Sequence, residues 1–190
     1  MRILIASLIL LLASPLCLAQ SYLRQTVIVS KDAKPMGVAE VLSPVELISV
    51  NGDKAVVKIS GVVADSYRAV LQRSISNSEV FVRFDTENPT NFTQLKQIED
   101  DYGEVWFESE GVYEVDKSAV TDDAEPLYAK AKELYEITCS ACHRLHEPQS
   151  FTANQWPASI QGMISANYVT LEESDLALIT KYLQHNSRNQ

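Results

Sequence analysis

The sequence predicts an α+β chain: a small all-β unit first, then an all-α segment. Two observations carry this. Residues 20–115 hold short β-rich runs broken by turn residues, whereas from Leu127 onward the apolar residues recur at helical spacing. A third observation separates the two parts. Residues 116–126, Asp-Lys-Ser-Ala-Val-Thr-Asp-Asp-Ala-Glu-Pro, form a polar, acidic join.

The chain opens with Arg2, an apolar run from Ile3 to Ala13, and Ser14-Pro15-Leu16-Cys17-Leu18-Ala19. A basic start, a hydrophobic centre and a small residue before the cut describe a secretory signal peptide over residues 1–19, cleaved after Ala19. The run is shorter than the ~20 residues a membrane span needs. The mature chain is therefore expected to be soluble, exported and periplasmic, without stable membrane insertion. Of the three cysteines only Cys139 and Cys142 would remain, both within one motif.

In the β-rich part, Val27–Val29 and Val38–Leu42 suggest strands. Val45–Val50 and Lys54–Ile59 meet through Asn51-Gly52-Asp53, a hairpin pattern because Asn and Gly tolerate positive φ. Glu79–Phe84 reads as a strand. Val105–Glu108 and Val112–Val115 flank Ser109-Glu110-Gly111, which reads as a second hairpin. Ala64–Arg73 and Thr93–Asp100 read as short helical turns. Trp106 and Tyr113 read as core or cross-strand residues. The whole suggests a small barrel or sandwich serving as a docking or spacer module.

In the helical part, Leu127, Ala131, Leu134 and Tyr135 form the stripe of an amphipathic helix. Thr152 with Gln155, and Phe151 with Trp156, suggest a capping box and a hydrophobic staple ahead of a second helix, with Asn154 as the other possible start and Pro157 in the first turn. Trp156, Ile160, Met163 and Ile164 share its face. Thr170-Leu171-Glu172-Glu173 announces a third helix with Leu176, Ile179, Tyr182 and Leu183 on its apolar face, ending near His185.

Cys139-Ser140-Ala141-Cys142-His143 stands directly after the first helical stripe. Cys-x-x-Cys-His is the attachment pattern of c-type haem. Positions i, i+3 and i+4 of a helical turn share a face, so two thiols and one imidazole can reach one flat macrocycle. A zinc site needs about four ligands, and the mature chain has two Cys and three His. A thioredoxin-like pair would need a βαβ surround. A structural disulfide gives no reason for the adjacent His. The cofactor expected is one covalently attached haem c, with Cys139 and Cys142 as attachment points and His143 as an axial iron ligand.

Candidates for the second axial position are Met36, Met163, His146, His185, a water or none. Met163 is favoured. It lies on a helix whose Trp156 and Ile160 could line a pocket, and a thioether is a soft ligand that raises the potential relative to a second His. The metal ligands expected are thus His143 and Met163, and no catalytic residue is expected.

Residues 20–126 carry 10 Lys+Arg and 19 Asp+Glu; residues 127–190 carry 5 and 6. This acidity excludes a nucleic-acid footprint, and it can speed association with a basic partner.

On these residues the stretch 127–190 resembles a class I monohaem c-type cytochrome, with Ala131, Tyr135 and Tyr182 at the crossing of its first and last helices. The β-rich segment, the acidic join, the haem motif and the strings Phe151-Thr-Ala-Asn-Gln-Trp156, Met163 and Lys181-Tyr-Leu-Gln184 resemble the C-terminal portion of the pentahaem cytochrome of trimethylamine N-oxide respiration. That resemblance implies an SH3-like barrel over 20–115, a linker over 116–126 and an all-α class I cytochrome c domain over 127–190. It also implies an electron carrier, not an enzyme, that exchanges single electrons with a periplasmic redox protein (a reductase or multihaem cytochrome), such as an N-oxide or S-oxide reductase chain in anaerobic respiration. The other function it implies is a haem-dependent docking or regulatory module for a periplasmic reductase or sensor protein.

Overall fold

The computed structural model describes residues 20–141 and 143–188. The expected signal peptide, Cys142 and the last two residues lie outside the described residues. Among the described residues the chain forms ten strands: β1 Ser21–Leu23, β2 Val27–Lys31, β3 Lys34–Ala39, β4 Pro44–Asn51, β5 Lys54–Ala64, β6 Tyr67–Gln72, β7 Val80–Phe84, β8 Thr93–Glu99, β9 Val105–Asp116 and β10 Val120–Thr121. Three α-helices come after them: α1 Glu125–Cys139, α2 Trp156–Ser165 and α3 Glu173–His185.

The sheet order is β10-β1-β4-β5-β6-β7-β3-β2-β9-β8, and a further pairing of β5 with β9 closes six strands, β5-β6-β7-β3-β2-β9, into a barrel. β5 and β9 pair without a break from Lys54↔Asp116 to Ala64↔Trp106. Inward-facing Val57, Ile59, Val63, Leu71, Val82 and Tyr113 fill the interior, following the two-residue period of strands. The β4–β5 connection is a two-residue loop, Gly52-Asp53, with φ 60 at Gly52. Positive φ confined to the first loop residue is the pattern of a II′-type turn.

The expected fold class, an SH3-like barrel followed by an all-α class I cytochrome c domain, is corrected by this architecture. The chain is mostly β, its barrel has six closed strands, and its helices are three short ones, of which α1 and α3 pack on the barrel. The reason lies in how little apolar surface each helix has. α1 buries only Ala131 and Tyr135, and α2 only Trp156 and Ile160. Leu178 of α3 and Ala131 pack with Val41 and Leu42 of the β3–β4 turn. Helices of this length gain their stability from such tertiary packing.

Three local readings also change. Val105–Asp116 is one continuous strand, not a hairpin, because every residue from Trp106 to Asp116 has a partner on β5. Ala64–Arg73 is the end of β5, a turn and β6. Thr93–Asp100 is the edge strand β8, exposed along most of its length.

Candidate haem-attachment site

α1 has Pro126 in its first turn, where a missing N–H costs nothing, and carries Cys139 as its last residue. Cys139 is half-buried against an apolar cluster built on Tyr135, Trp156, Ile160, Ile179 and Leu183. Burial pushes its thiol pKa up. His143 is exposed. Its Nδ1 lies 2.8 Å from the Arg144 carbonyl oxygen. A carbonyl only accepts, so Nδ1 is the donor; in the neutral imidazole this leaves Nε2 with the lone pair, as in metal-ligating histidines.

The loop after the motif is pinned from several sides. Tyr135 donates its hydroxyl to the His146 carbonyl at 2.7 Å, and Trp156 Nε1 donates to the Pro148 carbonyl at 2.9 Å. Gln184 Nε2 donates to the Ala153 carbonyl at 3.1 Å, and Arg188 N–H to the Phe151 carbonyl at 3.1 Å. The Phe151 ring meets Trp156 edge-on at 4.8 Å. The capping box is realised in half: Gln155 Oε1 accepts the Thr152 N–H at 3.0 Å, while the helix proper starts at Trp156.

Met163 stands half-buried on α2, between Ile160 and Ile164, but among the described residues it stays outside the apolar cluster those two join. α2 ends just beyond it. Asn167 takes φ 57, Tyr168 N–H donates to the Met163 carbonyl at 3.0 Å, and Asn167 N–H donates to the Ile164 carbonyl at 2.9 Å. This double bond pattern is a Schellman motif, and it fixes the backbone that carries Met163.

The other axial candidates are sorted by position. Met36 packs against the barrel core. His185 stacks on Tyr128 with ring centroids 4.6 Å apart. His146 lies near His143, with centroids 5.7 Å apart, and its ring meets Phe151 at 5.3 Å.

A haem fits the donor set present. A thiol at a helix end beside aromatic and aliphatic walls and an exposed imidazole four residues on are groups a covalent haem would use. Among the described residues no cluster of three or more His, Cys, Asp or Glu forms a separate metal site. A cleft of about 510 Å³ lined by Arg24, Asp53, Asp116 and Lys117 lies on the barrel and involves no described residue of the motif.

Sequence reasoning missed the charged seam that joins α3 to the barrel. Lys181 is 1% exposed and pairs with Glu79 and Glu40, each at 3.4 Å. Its only sequence signal is a lysine next to the apolar face of an amphipathic helix.

No protein-family model matches the chain, and no solved structure does. Among curated proteins it is 26% identical over 148 residues to the cytochrome c-type protein TorC of Escherichia coli O157:H7, and equally to that of strain K12, over 76% of this chain and 37% of theirs. It is 23% identical over 141 residues to the cytochrome c-type protein TorY of Haemophilus influenzae, over 74% and 38% respectively. The chain therefore spans little more than a third of the length of these relatives. No helix among the described residues is long and apolar enough to cross a membrane. The chain is a distant relative of cytochrome c-type proteins.

Proposed function

We propose that this chain is an exported, periplasmic monohaem c-type cytochrome that moves single electrons to or from a partner oxidoreductase. A bound haem supplies the one-electron couple. Cys139 and Cys142 would tether it through thioethers, His143 and Met163 would supply the iron ligands, and the Tyr135–Trp156–Ile160 cluster would give it an apolar wall. Two protein ligands would leave no open position for a substrate, which favours electron transfer over catalysis at the iron. The division into a leader over 1–19, a β-rich unit over 20–115, a join over 116–126 and a haem-bearing segment over 127–190 belongs to the same reading. The partner in this reading is a periplasmic reductase or multihaem cytochrome of an N-oxide or S-oxide respiratory chain.

The observation that carries the proposal is the pairing of Cys139, set against apolar walls at the end of α1, with a His143 whose Nδ1 is committed to a backbone carbonyl. Relatedness to cytochrome c-type proteins supports it. The test is an optical spectrum of the exported protein, oxidised and reduced, with a haem-to-chain ratio. One covalent haem per chain is expected, with a weak near-infrared sulfur-to-iron band in the oxidised form that Met163→Ala abolishes. A chain exported without covalent haem would overturn the reading. An unchanged low-spin spectrum in Met163→Ala would overturn that ligand alone.

A further inference from the structure

α1 and α3 are seated on the barrel by contacts in which no described residue of the Cys139–His143 motif takes part. The β3–β4 turn pushes Val41 and Leu42 against Ala131 and Leu178, all four of them buried. Leu42 is held at φ 61, a left-handed conformation that a bulky residue adopts only where its surroundings impose it. Those surroundings are present: its N–H donates to the Leu23 carbonyl at 2.7 Å, and the next residue, Ser43, donates its hydroxyl to the Phe81 carbonyl at 3.2 Å.

Beside this knob lies Lys181. Besides its two carboxylates it donates to the Val80 carbonyl and lies 5.4 Å from the centre of the Phe81 ring. Glu79, also 1% exposed, takes Arg73 at 2.6 Å on its other oxygen. Buried charges persist only when paired and hydrogen-bonded, and losing one partner is strongly destabilising. One position of α3 on the barrel satisfies every one of these groups.

We propose that the barrel is the folding template of the haem-carrying helices. The Glu40–Ser43 turn and the Lys181–Glu79 pair keep α1 and α3 folded and seated whether or not haem is attached. The attachment motif is thereby presented at the end of a formed helix rather than on an unfolded segment. Helices of 15 and 13 residues are marginal alone in water, and the barrel adds buried contacts to those the helices give one another. Only the link to attachment rests on the haem reading above; the templating does not.

The test is amide hydrogen exchange on the full chain carrying Cys139→Ala and Cys142→Ala, which cannot form thioethers. Amides of α1 and α3 are expected to exchange at least about a hundredfold more slowly than in an unstructured peptide. Adding Lys181→Met is expected to speed exchange in both helices at least about tenfold while β5 and β9 stay protected. Where Lys181→Met also unfolds the barrel, Leu42→Ala supplies the same comparison from outside the charged cluster. Unprotected helices on a protected barrel in the cysteine-free chain would overturn the proposal, as would unchanged helix exchange in both variants. A wild-type chain found without haem would sink the haem reading and leave this measurement standing.

Discussion

Gly111 and Tyr113 lie two residues apart on β9, on one face, and the Tyr113 phenol fills the space that a Cβ at position 111 would need. The ring is 1% exposed, sits against Phe84 with centroids 6.1 Å apart, and donates its hydroxyl to the Asn91 carbonyl at 2.9 Å. It has no room to swing aside. Gly111→Ala is therefore expected to destabilise the fold by about 3 kcal/mol, the upper end of ordinary overpacking. Adding Gly111→Ala to Tyr113→Ala should cost almost nothing further, because the obstacle is gone. Urea unfolding of the two single variants and the double variant measures this; equal penalties in both backgrounds would refute the steric account.

His185 stacks on Tyr128 where the last turn of α3 meets the barrel. Desolvation lowers its pKa below the ordinary 6.5, the positive charge of Arg73 lowers it further, and Glu79 opposes both. Tyr128 stays neutral beside it, its hydroxyl pushed up to about 12 by burial. Lys181, one turn earlier on α3, shares Glu79. The unfolded chain thus takes up a proton near pH 6.5 that the folded chain resists. Stability is full above that pH and falls as pH drops through 6.5 toward the folded value. His185→Gln is expected to flatten this part of the curve. An unchanged slope between about pH 7.5 and 5 would assign the acid sensitivity to another group.

The backbone around Met163 yields a separate expectation. Asn167 sits at φ 57 and closes the C-terminus of α2. A left-handed residue with a Cβ and no amide side chain is disfavoured by roughly 1–2 kcal/mol. Asn167→Val is expected to lose about that much, with Asn167→Gly neutral or slightly stabilising. Thermal unfolding of the two variants decides it. A Val variant as stable as the Gly variant would mean that the helix end is not held in this form.

What the sequence disclosed was local, and what it hid was long-range. The Asn51–Gly52 region marks a hairpin because a tight turn writes itself into adjacent residues. The amphipathic stripes around Leu127, Trp156 and Leu176 mark helices for the same reason, and Cys-x-x-Cys-His stands out as a pattern because its groups fall within five residues. β8 reads as helix in the sequence because an edge strand exposed along most of its length loses the alternation that betrays strands. Gly111 looks like a turn glycine, although its role is a close approach inside a strand. The Lys181–Glu79 pair joins residues 102 positions apart, and no window along the chain brings them together. The seating of Leu178 against Val41 and Leu42 belongs to this second kind, since it depends on how α3 lies on the barrel rather than on spacing.

Tyr135 connects α1 to the loop that succeeds the Cys139–His143 motif. Its ring meets Trp156 edge-on at 6.1 Å and Tyr182 at 6.4 Å, while its hydroxyl holds the His146 carbonyl. Burial pushes that hydroxyl's pKa up to about 12, with the Cys139 thiolate charge, where formed, acting in the same direction. Tyr135→Phe keeps the packing and removes the bond, so the expected loss is about 1 kcal/mol, accompanied by faster amide exchange in residues 143–150. The alkaline limb should change as well. The unfolded chain loses the phenol proton near pH 10 while the folded chain retains it to about 12, so wild-type stability falls as pH rises through that window. Tyr135→Phe lacks this contribution and should show a shallower alkaline decline, measurable as unfolding midpoints at about pH 9, 10 and 11. If the decline keeps its full slope, the buried Tyr113 and Tyr128 carry it and Tyr135 does not.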